Sequence, residues 1–249
     1  MALRRWSKQA ALAAVICTAE ACSSPALNRA PNPSLVLWAW ERPESFPRLE
    51  DGIAIAYLSQ TITLTEQHFD VTPRRKPLQV DPSTLLIAVT RIEAASTPLA
   101  DDDAAVDAVA AVVARSAARP GVIGVQVDFD ATATQREFYR ALLARLRGTL
   151  AGTSLSMTAL ASWCVGDPWL ADAGIPEIVP MLFRFDAPAH LYAEIAAASN
   201  RARPECRTAV GTSLDEPLIV HAQGRRVYVF NPKPWTAESI AEAKRRVRS

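Results

Sequence analysis

Short apolar runs recur along the chain and alternate, in its second half, with segments of helical periodicity. Eight runs of aliphatic and β-branched residues predict strands: Ser34 to Trp40, Gly52 to Leu58, Leu85 to Arg91, Val122 to Asp128, Ser154 to Leu160, Glu177 to Phe183, Arg207 to Thr212 and Arg226 to Phe230. Alternating strands and helices predict a parallel sheet, and eight such strands predict a closed (β/α)8 barrel of the TIM type. An open sheet with fewer strands is the alternative. No glycine-rich phosphate loop follows any strand, so nucleotide binding has no local support.

Four helices are predicted between and after the later strands, on periodicity and terminal signals. They run from Asp101 to Ser116, Thr134 to Arg147, Asp186 to Ser199 and Thr236 to Val247. The connection from Ser59 to Thr84 shows no clear helix. Its basic trio, residues 74–76, is enclosed by two prolines. That stretch is therefore predicted to be an exposed loop.

The beginning of the chain is typical of an exported bacterial protein. Residues 1–21 combine a basic start, a short apolar stretch and a small-x-small cleavage site, which predicts a signal peptide. The apolar stretch is about half the ~20 residues that a membrane-spanning helix needs. Cys22 occupies the position of the lipidated cysteine of a bacterial lipoprotein, although Ala19 and Glu20 are unusual before such a cysteine. Two locations are therefore predicted as alternatives: a periplasmic protein, or a lipoprotein anchored to the outer membrane. Residues 22–33 are predicted to be a flexible lead, and residues 34–249 one barrel domain.

Charge and cysteine content narrow the possible partners. With a net charge of +1, no global field favours nucleic acid or an anionic membrane. Export would leave Cys164 and Cys206 as a pair in an oxidising compartment, where a disulfide is expected. Two separate buried thiols are the alternative, because sequence does not show that their Cα atoms come within bridging range.

The fourth predicted strand carries the most informative polar residues. Side chains alternate along a strand, so Gln126, Asp128 and Asp130 are expected to point into the barrel. The two aspartates are the catalytic candidates, and Gln126 is a substrate-binding candidate. Like charges on one face push one pKa upward, so one Asp could donate a proton while the other stays ionised. The alternative is structural: one Asp would cap the following helix and the other would pair with an arginine.

Further candidates lie near the ends of other strands. Trp40, Trp163 and Trp235 could stack on sugar rings at one rim, or simply pack loops over the barrel mouth. Arg184 could fix the charge of the carboxylates or hold an anionic substrate. The other polar groups at these ends are Glu41, Arg42, Arg91, Glu93 and Asn231. The three histidines lack metal-ligand spacing, so neither a metal site nor a cofactor is predicted.

Four stretches resemble a bacterial family known only as a domain of unknown function: Leu37–Glu44, Val125–Asp130, Ser156–Cys164 and Val179–Arg184. The resemblance implies an exported barrel with no established activity. The fourth strand is also distantly similar to the Asp-x-Asp-x-Glu signature of chitinase-type glycoside hydrolases. Gln126 replaces the first Asp, and the shorter Asp130 replaces the catalytic Glu. The Met-x-Tyr-Asp of those enzymes falls on Met181, Phe183 and Arg184, so its hydroxyl and carboxylate are absent.

Three functional hypotheses follow. The first is a glycoside-hydrolase-like enzyme with Asp130 or Asp128 as the general acid and Glu41 or Glu93 as the second carboxylate. The second is a noncatalytic or vestigial barrel that binds a glycan through its three tryptophans. The third is a metal-assisted phosphodiester hydrolase, against which the shortage of ligands counts.

Overall fold

Eight parallel strands form the central barrel of the protein. The computed structural model describes residues 32–65, 68–95, 103–150, 152–165, 167, 169–170, 173–184 and 192–248. The strands within these ranges are β1 (Leu35–Ala39), β2 (Glu44–Ser45), β3 (Ile53–Leu64), β4 (Phe69–Pro73), β5 (Leu78–Gln79), β6 (Leu85–Ala94), β7 (Val122–Phe129), β8 (Ser154–Leu160), β9 (Glu177–Met181), β10 (Ala209–Ser213) and β11 (Arg226–Phe230).

The sheet closes on itself through its first strand. The strand order is β1-β11-β10-β9-β8-β7-β6-β3, and β1 also pairs with β3. Leu35 is accordingly in register with Ile53 on one side and with Val227 on the other. The prediction of a TIM-type barrel is confirmed, and the open sheet is wrong.

Helices cover the outside of the barrel where the sequence predicts them. They are α1 (Asp103–Arg115), α2 (Arg136–Thr149), α3 (Tyr192–Asn200) and α4 (Ala237–Arg248). The amphipathic face of α2 is fully buried, through Phe138, Leu142, Leu143 and Leu146. The predicted first residues of the first and third helices, Asp101 and Asp186, lie outside the described residues.

The connection between β3 and β6 departs from the predicted exposed loop. Strand β3 continues to Leu64, and β4 returns antiparallel beside it. A bulge between Leu58 and Gln60 rotates the second half of β3, so that Ile62 and Leu64 join the outer core against the helices. The predicted exposed loop is confirmed for residues 74–77, which lie outside the strands with Arg75 and Lys76 exposed, but it was wrong for the strand-paired residues on either side. A β-hairpin occupies the position where a repeated β/α unit would place a helix.

The interior of the barrel is packed rather than hollow. Inward-facing Val36, Trp38, Val89 and Val179 form one buried cluster with Tyr228. At the amino ends of the strands, the Tyr228 hydroxyl donates to Glu177 at 2.5 Å, and Arg226 pairs with Glu177 at 2.8 Å. These contacts fill the interior at the amino ends of the strands, whereas TIM-type barrels place their active sites at the carboxyl ends.

The predicted disulfide is present. Cys164 and Cys206 are bonded, with their Cα atoms 5.9 Å apart, and the bond joins the turn after β8 to the segment before β10. The predicted signal peptide, Cys22 and most of the flexible lead lie outside the described residues. Within the described part of the chain, no helix has the length and apolar character needed to cross a membrane.

Candidate active site at the barrel mouth

The two aspartates of the fourth barrel strand lie at the carboxyl end of the barrel, as their alternation predicts. Asp128 is within β7, and Asp130 follows the last residue of that strand. The Asp128 side chain is only 2% exposed, whereas that of Asp130 is 45% exposed. Thr158 on the neighbouring strand donates a hydrogen bond to Asp128 Oδ1 at 2.7 Å. The site therefore combines one buried carboxylate with one that a ligand can reach.

Arg91 connects the acidic groups of the mouth. Its Nη1 donates to Asp128 Oδ2 at 2.8 Å, and its Nε donates to Glu93 at 3.2 Å. Its Nη2 lies 4.0 Å from Asp130 Oδ2. Since Thr158 and Arg91 each bind one oxygen of Asp128, that carboxylate is held in one orientation.

The electrostatic environment makes Asp130 the stronger proton donor candidate. Burial, and then the negative charge of Asp128, raise the pKa of Asp130, while Arg91 offsets part of this rise. Asp128, in contrast, is buried and contacts Arg91 directly, at 2.8 Å. The pair thus has the asymmetry that an acid and an anionic partner need.

A hydrogen-bonded layer lies directly beneath the carboxylates. Trp38 Nε1 donates to Gln126 Oε1 at 2.9 Å, and Gln126 Nε2 donates to Ser156 Oγ at 3.2 Å. Gln126 is 0% exposed, so its predicted contact with substrate is wrong: it lies one layer below the open mouth. The side-chain amide of Gln126 instead holds the indole of Trp38 in place beneath the carboxylates.

Aromatic rings do line one side of the mouth, but they are largely not the predicted ones. Phe183 and Phe230 stack with their ring centroids 5.7 Å apart, and Trp40 is half-buried beside the same inner cluster. The guanidinium of Arg184 lies 5.1 Å from the centre of the Phe230 ring. Arg184 also has a left-handed backbone, with φ of 55°. Its amide donates to the carboxylate of Glu216.

Arg184 is therefore not the arginine that meets the aspartates. The sequence left open an ion pair between Arg184 and Asp128 or Asp130, whereas Arg91 makes that contact. The reason lies in the strand register, because Arg91 is directly opposite Asp128 in the β6–β7 pairing. Exposed Arg184 remains available at the edge of the mouth.

Two of the three predicted sugar-stacking tryptophans are buried. Trp163 is 3% exposed and packs edge-on against Trp169 at 4.9 Å, on the helix side of the sheet. Trp235 is 4% exposed, and its Nε1 donates to the backbone carbonyl of Trp38 at 2.8 Å. Protein atoms cover both rings, so the predicted platform was wrong for Trp163 and Trp235. Trp40 alone of the three stays partly accessible.

Two further predicted site residues stabilise loops instead. Glu41 is exposed, and its Oε1 accepts hydrogen bonds from the backbone amides of Arg75 and Lys76. Asn231 is 5% exposed, and its side chain accepts from the amide of Lys233 at 3.1 Å. Glu41 thus links two separate segments of the chain, and Asn231 closes a local turn. Glu93, rather than Glu41, is the further carboxylate in the Arg91 network.

Residues that could hold a metal ion are not grouped in this part of the molecule. Among the described residues, no three or more His, Cys, Asp or Glu side chains are arranged to hold one. The polar groups described at the mouth are carboxylates, hydroxyls and guanidinium groups.

Comparison with solved structures returns a glycosidase barrel. An endo-beta-N-acetylglucosaminidase from Cordyceps militaris, in its apo form, superposes with a TM-score of 0.50 and covers 86% of this chain and 89% of its own. The two sequences are 9% identical, so the likeness shows a shared fold alone. No protein-family model and no curated protein matches the chain.

Proposed function

We propose that the protein is an exported glycoside-hydrolase-like enzyme that cleaves a glycan at the barrel mouth, with Asp130 as its general acid. One observation carries the proposal: a partly exposed carboxyl group with a raised pKa lies beside a buried carboxylate held by Arg91 and Thr158. Paired carboxyl groups in unequal environments are the arrangement that glycoside hydrolysis uses. The glycosidase fold of the solved neighbour is consistent with it.

Each group at the mouth has a defined task in this mechanism. Protonated Asp130 donates its proton to the glycosidic oxygen as the bond to the anomeric carbon breaks. The negative charge of Asp128 stabilises the positive charge that develops on the sugar ring. Water then adds to the anomeric carbon and releases a proton, which restores the acid. Arg91 is a positioning residue, because it orients Asp128 and tempers the pKa of Asp130.

The mouth also carries apolar surface that suits a sugar ring. After the carboxyl ends of other barrel strands lie the stacked Phe183 and Phe230 and the partly accessible Trp40. Flat apolar surfaces of this kind complement the apolar faces of sugars. A noncatalytic glycan-binding barrel would use the same surface, but burial of Trp163 and Trp235 removes most of the platform predicted for it.

The proposal is tested by product release from a panel of bacterial exopolysaccharides, cell-wall glycans and N-acetylglucosamine-containing oligosaccharides. We compare the wild-type protein with Asp130→Asn and with a matched control, Asp51→Asn. Asp51 is an exposed acid in the turn before β3, away from the mouth. General acid catalysis contributes about 100-fold to 10,000-fold in rate, so Asp130→Asn should lose at least about 100-fold while Asp51→Asn keeps wild-type activity.

Two other results would each overturn the assignment. Equal activity in Asp130→Asn and wild type would remove Asp130 from the chemistry. Saturable binding of a glycan without any product release would replace the hydrolase with the noncatalytic binding barrel.

A further inference from the structure

A second cavity lies on the outer wall of the barrel, away from the mouth. It has a volume of about 540 Å³ and lies between the β3–β5 segment and the end of α1. Repeated β/α units would place a helix over this part of the wall. Here the β-hairpin takes its place and leaves the outward face of β3, including Tyr57 and Gln60, at the base of a side groove. The groove therefore exists because the β3–β4 hairpin, which the sequence did not predict, replaces a helix.

Four cations line this side groove, and none of its described lining residues is acidic. The cations are Arg74, Lys76, Arg115 and Arg119. Many other Lys and Arg side chains form ion pairs within the described residues. None of these ion pairs includes any of the four groove cations. Among the residues that the structure describes, no carboxylate therefore lies within ion-pair distance of these four cations.

Arg74 supplies a fixed positive charge at the upper edge of the groove. Its guanidinium donates to the backbone carbonyls of Ala39, Trp40, Arg42 and Lys76 at 2.6 to 3.2 Å. These carbonyls immobilise the side chain but carry no net charge. Because Arg74 is held by four neutral acceptors, its charge contributes to the field in the groove without rearrangement.

Arg119 supplies a second placed cation at the opposite edge. Its guanidinium carbon lies 5.9 Å from the centre of the Tyr57 ring, and its Nη1 lies 3.4 Å from the Tyr57 hydroxyl. Arg115 and Lys76 are exposed beside it. Two acids, Glu41 and Glu44, act electrostatically on Arg74, but neither is part of the lining. Glu41 accepts from the backbone amides of Arg75 and Lys76, and Glu44 pairs with Arg42 at 2.5 Å.

We propose that the side groove is a binding site for an acidic saccharide, whose negative group is a carboxylate or a phosphate. Guanidinium groups bind both anions through paired, charge-assisted hydrogen bonds. The cavity volume lies within the range of about 300 to 1,000 Å³ that small-ligand sites occupy. The half-buried side chains of Leu78 and Val80 supply apolar surface for the sugar itself. The site is separate from the mouth and stands without the proposed hydrolase function.

The test is calorimetric titration of the whole protein at low salt with trigalacturonate, glucose 6-phosphate and neutral cellotriose. The test variant is Arg115→Gln/Arg119→Gln. Its matched control is Arg201→Gln/Arg207→Gln, which removes two exposed arginines outside the groove. All four substituted arginines are exposed, so thermal melting should show every variant folded.

We expect at least one acidic probe to bind more tightly than cellotriose, and added salt to weaken that binding. The test variant should lose at least about tenfold in affinity, because hydrogen bonds to charged groups are among the strongest available. The control variant should bind as the wild type does. Binding of trigalacturonate alone identifies the carboxylate, and binding of glucose 6-phosphate alone identifies the phosphate. Equal affinity for acidic and neutral probes, or unchanged affinity in the test variant, overturns the site.

Discussion

Arg91 and Asp128 face each other across neighbouring parallel strands, in register, with 2.8 Å between Nη1 and Oδ2. The aspartate is almost fully buried, and the arginine is one-third exposed. The orientation of the buried carboxylate therefore depends on a side chain from another strand. The acid, its anionic partner and the arginine form one unit, and a change in any of them is felt by the others.

Replacement of Arg91 by Gln should destabilise the protein. The substitution leaves a buried carboxylate with Thr158 as its remaining side-chain donor, and unpaired buried charges are costly. We expect a loss of about 2 to 3 kcal/mol in the free energy of unfolding, at the lower end because water partly replaces an exposed partner. Urea unfolding measures this. Asp128→Asn in the same background should recover much of the loss, and additive losses would show that the two residues do not interact.

The ionisation of Asp130 should destabilise the folded protein as pH rises. Its pKa is raised above the ordinary value of 3.8 by burial and by Asp128. The folded state thus binds the proton more tightly than the unfolded state. The resulting stabilisation is fully present below the ordinary pKa and is lost as pH rises through the raised one. Asp130→Asn should therefore be more stable than the wild type near about pH 7, and the difference should vanish at low pH. Parallel unfolding curves across the pH range check this, and a difference independent of pH would contradict it.

Gly211 should be required inside the barrel for lack of space. A Cβ at this position would lie 2.8 Å from Cη2 of Trp38, whose indole is fixed by Gln126. Gly211→Ala should therefore cost about 1 to 3 kcal/mol, as overpacking does. Gly148 in α2 has no atom within 4 Å of the same added carbon, so Gly148→Ala should instead stabilise the protein, by about 0.5 to 1 kcal/mol. Thermal melting of the two variants distinguishes them, and equal shifts would refute the packing argument.

The disulfide should contribute strongly to stability. Its cysteines are separated by 42 residues, and closing a loop of that length in the unfolded chain is worth about 4 kcal/mol by the chain-entropy relation. Cys164→Ser/Cys206→Ser should therefore melt at a lower temperature than the oxidised wild type. A reductant should lower the melting temperature of the wild type and leave that of the double variant unchanged. Equal melting temperatures for the oxidised wild type and the double variant would contradict the predicted contribution.

Most of the barrel could be predicted from the sequence because buried parallel strands are continuous apolar runs. The strands Ser154–Leu160 and Arg226–Phe230 begin and end where the pattern changes. Strand β4 could not be found in this way, since its residues are exposed or half-buried, and it ends in a proline. Only pairing with the extended end of β3 makes it a strand, and that extension depends on a bulge that one sequence does not reveal.

The residues that one strand contributes to the candidate site could be predicted from the sequence, but the contacts between residues on different strands could not. Alternation placed Asp128 and Asp130 on the inner face of the sheet because it is a property of a single strand. Which arginine meets them depends on register, so Arg91 and Arg184 could not be distinguished. Position after a strand was equally insufficient for Trp163 and Trp235, because the chain can turn outward and bury the ring against a helix.

The closing pair of strands also constrains the order in which the molecule can form. Leu35 and Val227 are partners in the finished sheet, so β1 keeps an unpaired edge until nearly the whole chain has been synthesised. Contacts of such long sequence separation form slowly, and open strand edges pair readily with other chains. A chain truncated before β11 would keep two such edges, at β1 and β10, and aggregation would be its expected fate.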